Sequence, residues 1–276
     1  MTSVGFVGLG NIGKPMALRL AASDLDTWVH DLAPEPVAEL VAAGAASTTS
    51  VAELAGLVDV LCLMVRDDAQ VRDVLDQALA AARPGLVVVI HSTVRPDTPA
   101  ELAEIAAAHD VQVLDAPVSG GPMGAAEGTL ALMVGGSEDA YLAAKPALDQ
   151  LGTKVVHTGA IGSGTRFKLA RNMLHFISFT AATEAQRLAE AAGLDLAALG
   201  DVVRHTDAIT GGAGAIMYRD STEPIAAEDF WHGVFSHVAD LGEKDLDYAT
   251  GLADDLGVDV PLAKLARKRL RPGLGL

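Results

Sequence analysis

Ten residues near the start of the chain, Val4-Gly-Phe-Val-Gly-Leu-Gly-Asn-Ile-Gly13, leave few folds open. The apolar run 4–7 reads as a buried strand and 15–22 as a helix, with Gly8, Gly10 and Gly13 between them. Glycine at the first position closes the turn. At the second it lets backbone approach a pyrophosphate, and at the third it lets the helix pack on the strand. The free N–H groups of the helix N-terminus then face the phosphates. With Leu9, Asn11 and Ile12, these glycines are the expected phosphate cradle. The pattern alone is weak in a chain with 28 glycines among 276 residues. Its setting, strand before and helix after, strengthens it. So does an acid at the end of the next strand, Asp31. A carboxylate there holds both ribose hydroxyls of an adenosine and repels a 2′-phosphate. The next residues, Leu32, Ala33 and Pro34, bring no base. NAD is therefore expected over NADP.

Strands and helices alternate from there on. Strands are expected at 27–30, 58–65, 86–91, 111–116, 129–134 and 154–157, and helices at 36–43, 69–82, 98–109 and 141–151. This alternation predicts βαβ units and a parallel, doubly wound sheet of Rossmann type. Residues 165–192 then run without a breaker, with Leu169, Met173, Phe176, Ile177 and Leu188 on one stripe. Roughly 28 residues at 1.5 Å each give a helix of about 42 Å, long enough to join two domains. Gly193 follows, where a C-cap glycine belongs. The rest, 195–270, reads as shorter helices. The expected organisation is α/β over 1–162 and all-α over 163–276, the second part opening with the linking helix 163–192.

Composition excludes several classes. The chain carries 20 Lys and Arg against 36 Asp and Glu, a net charge of −16. That disfavours nucleic acid and anionic membrane as partners, since both call for basic patches. The one cysteine, Cys62, falls inside an apolar run and is expected buried in a strand; a disulfide framework within one chain is excluded. No basic leader precedes the first strand, and no apolar run approaches the roughly 18 residues of a membrane span. A cytoplasmic protein is expected, and no metal site is.

Two further segments carry chemistry. Asp115-Ala-Pro-Val-Ser-Gly-Gly121 follows a strand. Ser119 offers a hydroxyl, and Gly120 and Gly121 offer unobstructed N–H groups, a nest suited to a substrate carboxylate. The same residues would equally make a plain turn. Lys168 and Asn172 share one helix face at i, i+4. Desolvation and a neighbouring nicotinamide cation would lower the pKa of such a lysine toward the range of a general base. Alone, it could also be an ordinary lysine on an amphipathic helix. His175, one turn on, is expected to pack between domains. The basic cluster 264–271 reads as the cationic end of a last helix.

Together these residues resemble the β-hydroxyacid dehydrogenases, the family of 3-hydroxyisobutyrate dehydrogenase. Residues 5–17 look like its N-terminal signature, 115–121 like its substrate motif and 164–172 like its catalytic segment. The resemblance implies Lys168 and Asn172 as catalytic residues and Ser119, Gly120 and Gly121 as carboxylate ligands. More loosely, it brings the loop 64–68, with Met64 and Val65, past the cofactor's ribose, Ser92 and Thr93 near the nicotinamide, and Lys244, of the pair Lys244-Asp245, near cofactor and active site. It also implies a homodimer or homotetramer. Arg171 stands where many relatives carry a second Asn, and 209–228 departs from the family's pattern, so the substrate is the loosest part of what the resemblance implies. The expected activity is hydride transfer between NAD and a small 3-hydroxy acid. The rivals are a semialdehyde reductase, an imine reductase of the same architecture, and a non-catalytic NAD-binding scaffold.

Overall fold

The structure, a computed structural model, describes residues 2–217 and 221–276. Its first six strands are β1 (Ser3–Val7), β2 (Asp26–His30), β3 (Ala46–Ser47), β4 (Val60–Leu63), β5 (Val87–Ile90) and β6 (Gln112–Asp115). They pair in parallel in the order β3-β2-β1-β4-β5-β6. The crossovers are α1 (Gly13–Ala21), α2 (Pro34–Ala42), α3 (Val51–Leu57), α4 (Asp68–Leu79) and α5 (Thr98–Ala107). Strand order reverses between β1 and β4, the switch point where ligands of open α/β sheets bind.

Helices cover both faces. On one, Phe6, Cys62 and Val89 pack with Met16 and Leu20 of α1. On the other, Leu61, Leu63 and Ile90 pack with Leu54 of α3, Leu75 of α4 and Leu102 of α5. A strand buried on both faces reads as an unbroken apolar run, which is why the sequence showed these strands plainly. Cys62 is fully buried, and desolvation pushes its thiol up to about 12.

The all-parallel expectation fails beyond β6. There follow β7 (Val118–Ser119), α6 (Gly121–Glu127), β8 (Ala131–Gly135), α7 (Glu138–Leu151) and β9 (Lys154–Gly159). β8 runs antiparallel to β6 and β7, and parallel to β9. The chain doubles back through the two-turn α6, too short to serve as a crossover onto a parallel strand. β3 and α3, in a stretch assigned to no element, are also additions. α3 is set by its cap: Ser50 Oγ accepts from Glu53 N at 3.1 Å.

The long helix is α8 (Ser163–Ala191). Its head rests on Asp115, which is fully buried at the end of β6. Asp115 Oδ1 accepts from Gly162 N at 2.7 Å and Oδ2 from Thr165 N at 2.6 Å.

The chain divides into two compact units, Met1–Arg171 and Asn172–Leu276. The second holds most of α8 with α9 (Leu196–Thr210), α10 (Phe230–Asp255) and α11 (Pro261–Gly273). α10, at 26 residues, is longer than the short helices expected. A buried carboxylate, Glu184, accepts from Leu262 N at 2.8 Å and Ala263 N at 2.9 Å, capping α11. The basic cluster is on α11 as expected, but its cations pair with α10. Lys264 meets Asp254, Arg267 meets Asp247, and Arg271 meets Asp240 and Glu243. Within 209–228, Gly212–Gly214 form a single 3-10 turn, and residues 218–220 lie outside those described. Among the described residues, no helix is long and apolar enough to cross a membrane.

Candidate active site

The cradle follows from three glycines with three different surroundings. Gly8 has φ +95°, and a Cβ there would collide with the Met64 carbonyl of the neighbouring β4 loop. A Cβ on Gly13 would collide with the carbonyl of Gly8, so α1 can rest on the end of β1 only without one. Gly10 has nothing within 4 Å of where its Cβ would be. It is the open position, facing outward at the head of α1. Ile12, at the N-cap of α1, offers no side-chain acceptor; Lys14 N donates to Gly10 O at 3.0 Å and Pro15 has no N–H, so in the first turn it is the Gly13 N–H that is left to face an anion.

Asp31 is tied to this loop. Its Oδ2 accepts from Leu9 N at 2.6 Å, and its Oδ1 from Ala33 N at 2.8 Å. Beside it opens a cavity of about 330 Å³, lined by Gly8, Gly10, Asp31, Met64 and Val65 among others. It lies at the β1/β4 switch point. Ser92, at the end of β5, fixes its far wall: Val65 N donates to Ser92 Oγ at 2.9 Å, and the hydroxyl donates back to Val65 O at 2.8 Å. A cleft with open backbone amides at one end and a carboxylate beside it suits a dinucleotide's diphosphate and ribose.

Arg66, of the loop 64–68, lines the same cavity, and so do Gln70 and Asp73 of α4, which the sequence did not point to. The absence of a base after Asp31 is thus true of the sequence but not of the cavity. Arg66 pairs with Asp67 at 3.0 Å. Thr93 is exposed at the end of β5, and Asn11 is exposed in the cradle.

Lys168 is 7% exposed, and its Nζ donates to Val118 O at 2.6 Å. The structure therefore brings Lys168 to the Asp115–Gly121 turn, one residue short of Ser119. Ser119 is half-buried at the end of β7; Gly120 and Gly121 lead into α6. Burial first, and the charge of Arg171 second, push the Lys168 ammonium down to about 8. His91, fully buried, shares a hydrogen bond of 2.9 Å between its Nδ1 and Ala116 O, tying β5 to the same turn. A carbonyl only accepts, so this nitrogen carries the proton. Burial pushes the His91 imidazole down to about 4, so it is neutral at physiological pH.

In the second unit, Asn172 continues α8, and the His175 ring lies 4.3 Å from that of Phe179 on the same helix. Lys244, on α10, pairs with Asp245 at 3.0 Å and lies 5.9 Å from the Tyr248 ring centre.

A doubly wound sheet with a glycine cradle at its switch point, followed by a helical second unit, is the frame of a dinucleotide-binding protein. Residues 3–159 match the profile of the NAD-binding domain of 6-phosphogluconate dehydrogenase. Residues 162–273 match the NAD-binding profile of NADP-dependent 3-hydroxyisobutyrate dehydrogenase. An uncharacterized oxidoreductase of Mycobacterium tuberculosis is 48% identical over 99% of this chain and 93% of its own. The 3-hydroxyisobutyrate dehydrogenase of Pseudomonas aeruginosa is 35% identical over 97% and 90%. An oxidoreductase structure from Mycobacterium avium, 48% identical, superimposes with a TM-score of 0.97, covering 100% of this chain and 99% of the other. The chain belongs to the 3-hydroxyisobutyrate dehydrogenase family. An imine reductase of Pseudomonas sp. shares the fold, with a TM-score of 0.75 at 22% identity over 99% and 95%.

Proposed function

We propose that the protein is an NAD-dependent dehydrogenase of small 3-hydroxy acids in which Lys168 is the general acid and base. The observation that carries this is a buried amine, held against the Val118 carbonyl, one residue along the chain from Ser119 and the Gly120-Gly121 pair. When bound in the cradle, a nicotinamide dinucleotide supplies or takes up the hydride. Ser119 and the two glycine N–H groups hold the substrate carboxylate. Neutral Lys168 takes the proton from the substrate hydroxyl during oxidation; its ammonium returns that proton to the carbonyl oxygen in reduction. Asn172, four residues on along α8, orients amine and substrate. The helical unit pairs with a second copy of the chain.

The test is formation of reduced cofactor from a panel of 3-hydroxy acids, with NAD and NADP in parallel. Turnover of one acid with NAD supports the reading. Turnover of cyclic imines alone would replace it with an imine reductase, and tight cofactor binding without turnover with a scaffold.

Direction and pH are linked. Oxidation needs the free amine, so its kcat/KM is expected to rise with pH and level off above about 8. Reduction needs the ammonium and is expected to fall through the same range. Profiles in both directions that lack opposite limbs there would exclude Lys168 from the proton transfer.

Cofactor choice rests on Asp31, whose charge repels a 2′-phosphate, while Arg66 gives the cavity a base. Asp31→Asn keeps an acceptor for Leu9 N and removes the charge. The ratio of kcat/KM for NADP over NAD is expected to rise about tenfold or more, a change of about 1.4 kcal/mol. A wild type that already prefers NADP would overturn the assignment.

A further inference from the structure

Lys168 stands one turn from the head of α8, and that head is built on a single side chain. Asp115 accepts from Gly162 N and Thr165 N, three residues apart across the helix start, at 2.7 and 2.6 Å. Both amides belong to the group that an α-helix leaves without an internal partner. The carboxylate faces a helix N-terminus, where negative charge is favoured. The fit allows little play. A Cβ on Gly164 would collide with the carbonyls of Met133 and Asp115, and one on Gly135 with Asp115 Oδ1 and Ser163 Oγ. The first turn of α8 thus lies directly on the backbone of β6 and β8. Three residues beyond Thr165, Lys168 Nζ reaches Val118 O on β7, which continues from β6.

We infer that Asp115 is a positioning residue for Lys168: by fixing the first turn of α8 on β6, it holds the amine in its buried place against the Val118 carbonyl. This inference rests on the role proposed for Lys168 above. Burial holds the Asp115 carboxyl above the usual carboxylate range, and the amides of Thr165 and Gly162 oppose that. The charged group that acts on Lys168 is Arg171 on its own helix, and β7 presents the Val118 carbonyl. Burial is the larger cause of the lowered Lys168 value. A loosened first turn admits water to the amine and moves that value back toward an ordinary lysine.

The test is Asp115→Asn, which keeps the size but sets an NH₂ against one of the two amides. Three properties are followed: kcat/KM for oxidation against pH, the dissociation constant of the cofactor, and amide hydrogen exchange over 162–168. Expected are an alkaline shift of the rising limb by about half a pH unit or more, a kcat reduced about tenfold or more, a cofactor affinity within about threefold of wild type, and faster exchange at 162 and 165. A limb that stays in place with kcat unchanged overturns the inference. So does a kcat loss at unmoved pH with normal exchange. Gly162→Ala serves as a milder second variant. Its φ of +84° strains an alanine, yet the nearest atom would be 3.4 Å away, so the fold should survive. It should shift the limb the same way by less, and no shift counts against Asp115 even if Asp115→Asn does not fold. Wild type and Lys168→Ala are profiled alongside. If Lys168→Ala remains active, the reading of Lys168 fails and takes this inference with it. If Lys168→Ala is inactive and Asp115→Asn leaves the limb in place, only this inference fails.

Discussion

Lys168→Ala is expected to lower kcat about a hundredfold or more while leaving the dissociation constant of the reduced cofactor within about threefold. The split follows from where the groups lie. The cradle and Asp31 are built from β1, α1 and the end of β2. Lys168 reaches the turn after β6 and is not among the residues lining the cavity beside Asp31. Lys168→Met separates chemistry from packing, since it keeps length and removes the amine. Removing a buried ammonium relieves a desolvation cost, while the Val118 carbonyl loses its donor, so the two effects oppose and the stability should stay within about 2 kcal/mol of wild type. Lys168→Arg should also be inactive as a base, because a guanidinium does not give up its proton. Turnover within about threefold of wild type in Lys168→Met, measured as steady-state oxidation of the best acid in the panel, would remove Lys168 from the mechanism.

The second large effect concerns assembly. The stripe that the sequence places on one face of α8 is not buried in the single chain: Met173 is 65%, Phe176 59% and Ile177 49% exposed. α9 and α11 bury no residue, and the apolar core of this unit is Phe235, Ala239 and Leu274 with a few partners. An apolar patch of this extent on an isolated chain marks an interaction surface. We expect a second copy to cover it. Light scattering after gel filtration should then give at least twice 28.4 kDa at micromolar concentration. Phe176→Glu should shift that mass toward the monomer and lower Tm by about 10 °C, since a charge replaces a side chain that the assembly buries. A wild type that is monomeric at those concentrations would leave the patch without its proposed cover.

How much of this could be read from the chain itself differs by element. The β1–α1 turn and Asp31 were legible because glycine and acid spacing report local backbone needs. The central strands were legible because burial on both faces leaves an unbroken apolar run. The direction of β8 was not, because alternation of side chains carries no sign of which way a strand runs. α3 was not, because seven residues are too few to show a helical period. At the site, Gln70 and Asp73 were missed because they come to line the cavity with Asp31 only once β4 is laid beside β1. Asp115 was visible as part of a motif, but its bonds to Gly162 and Thr165 span 47 and 50 residues. Lys168 and Ser119 were each visible, and their nearness follows from α8 folding back onto β7.

The three cradle glycines have a consequence for how this protein can change over generations. At Gly8 and Gly13 any side chain meets a backbone carbonyl, so replacements there damage the fold itself. At Gly10 the fold has room, and a side chain would intrude only on what the cradle holds. Ancestry is thus recorded in this loop at two separate levels. A descendant could forfeit its cofactor through a single replacement at Gly10 and remain a well-folded protein, open to a new role. One altered at Gly8 or Gly13 would have no such second life.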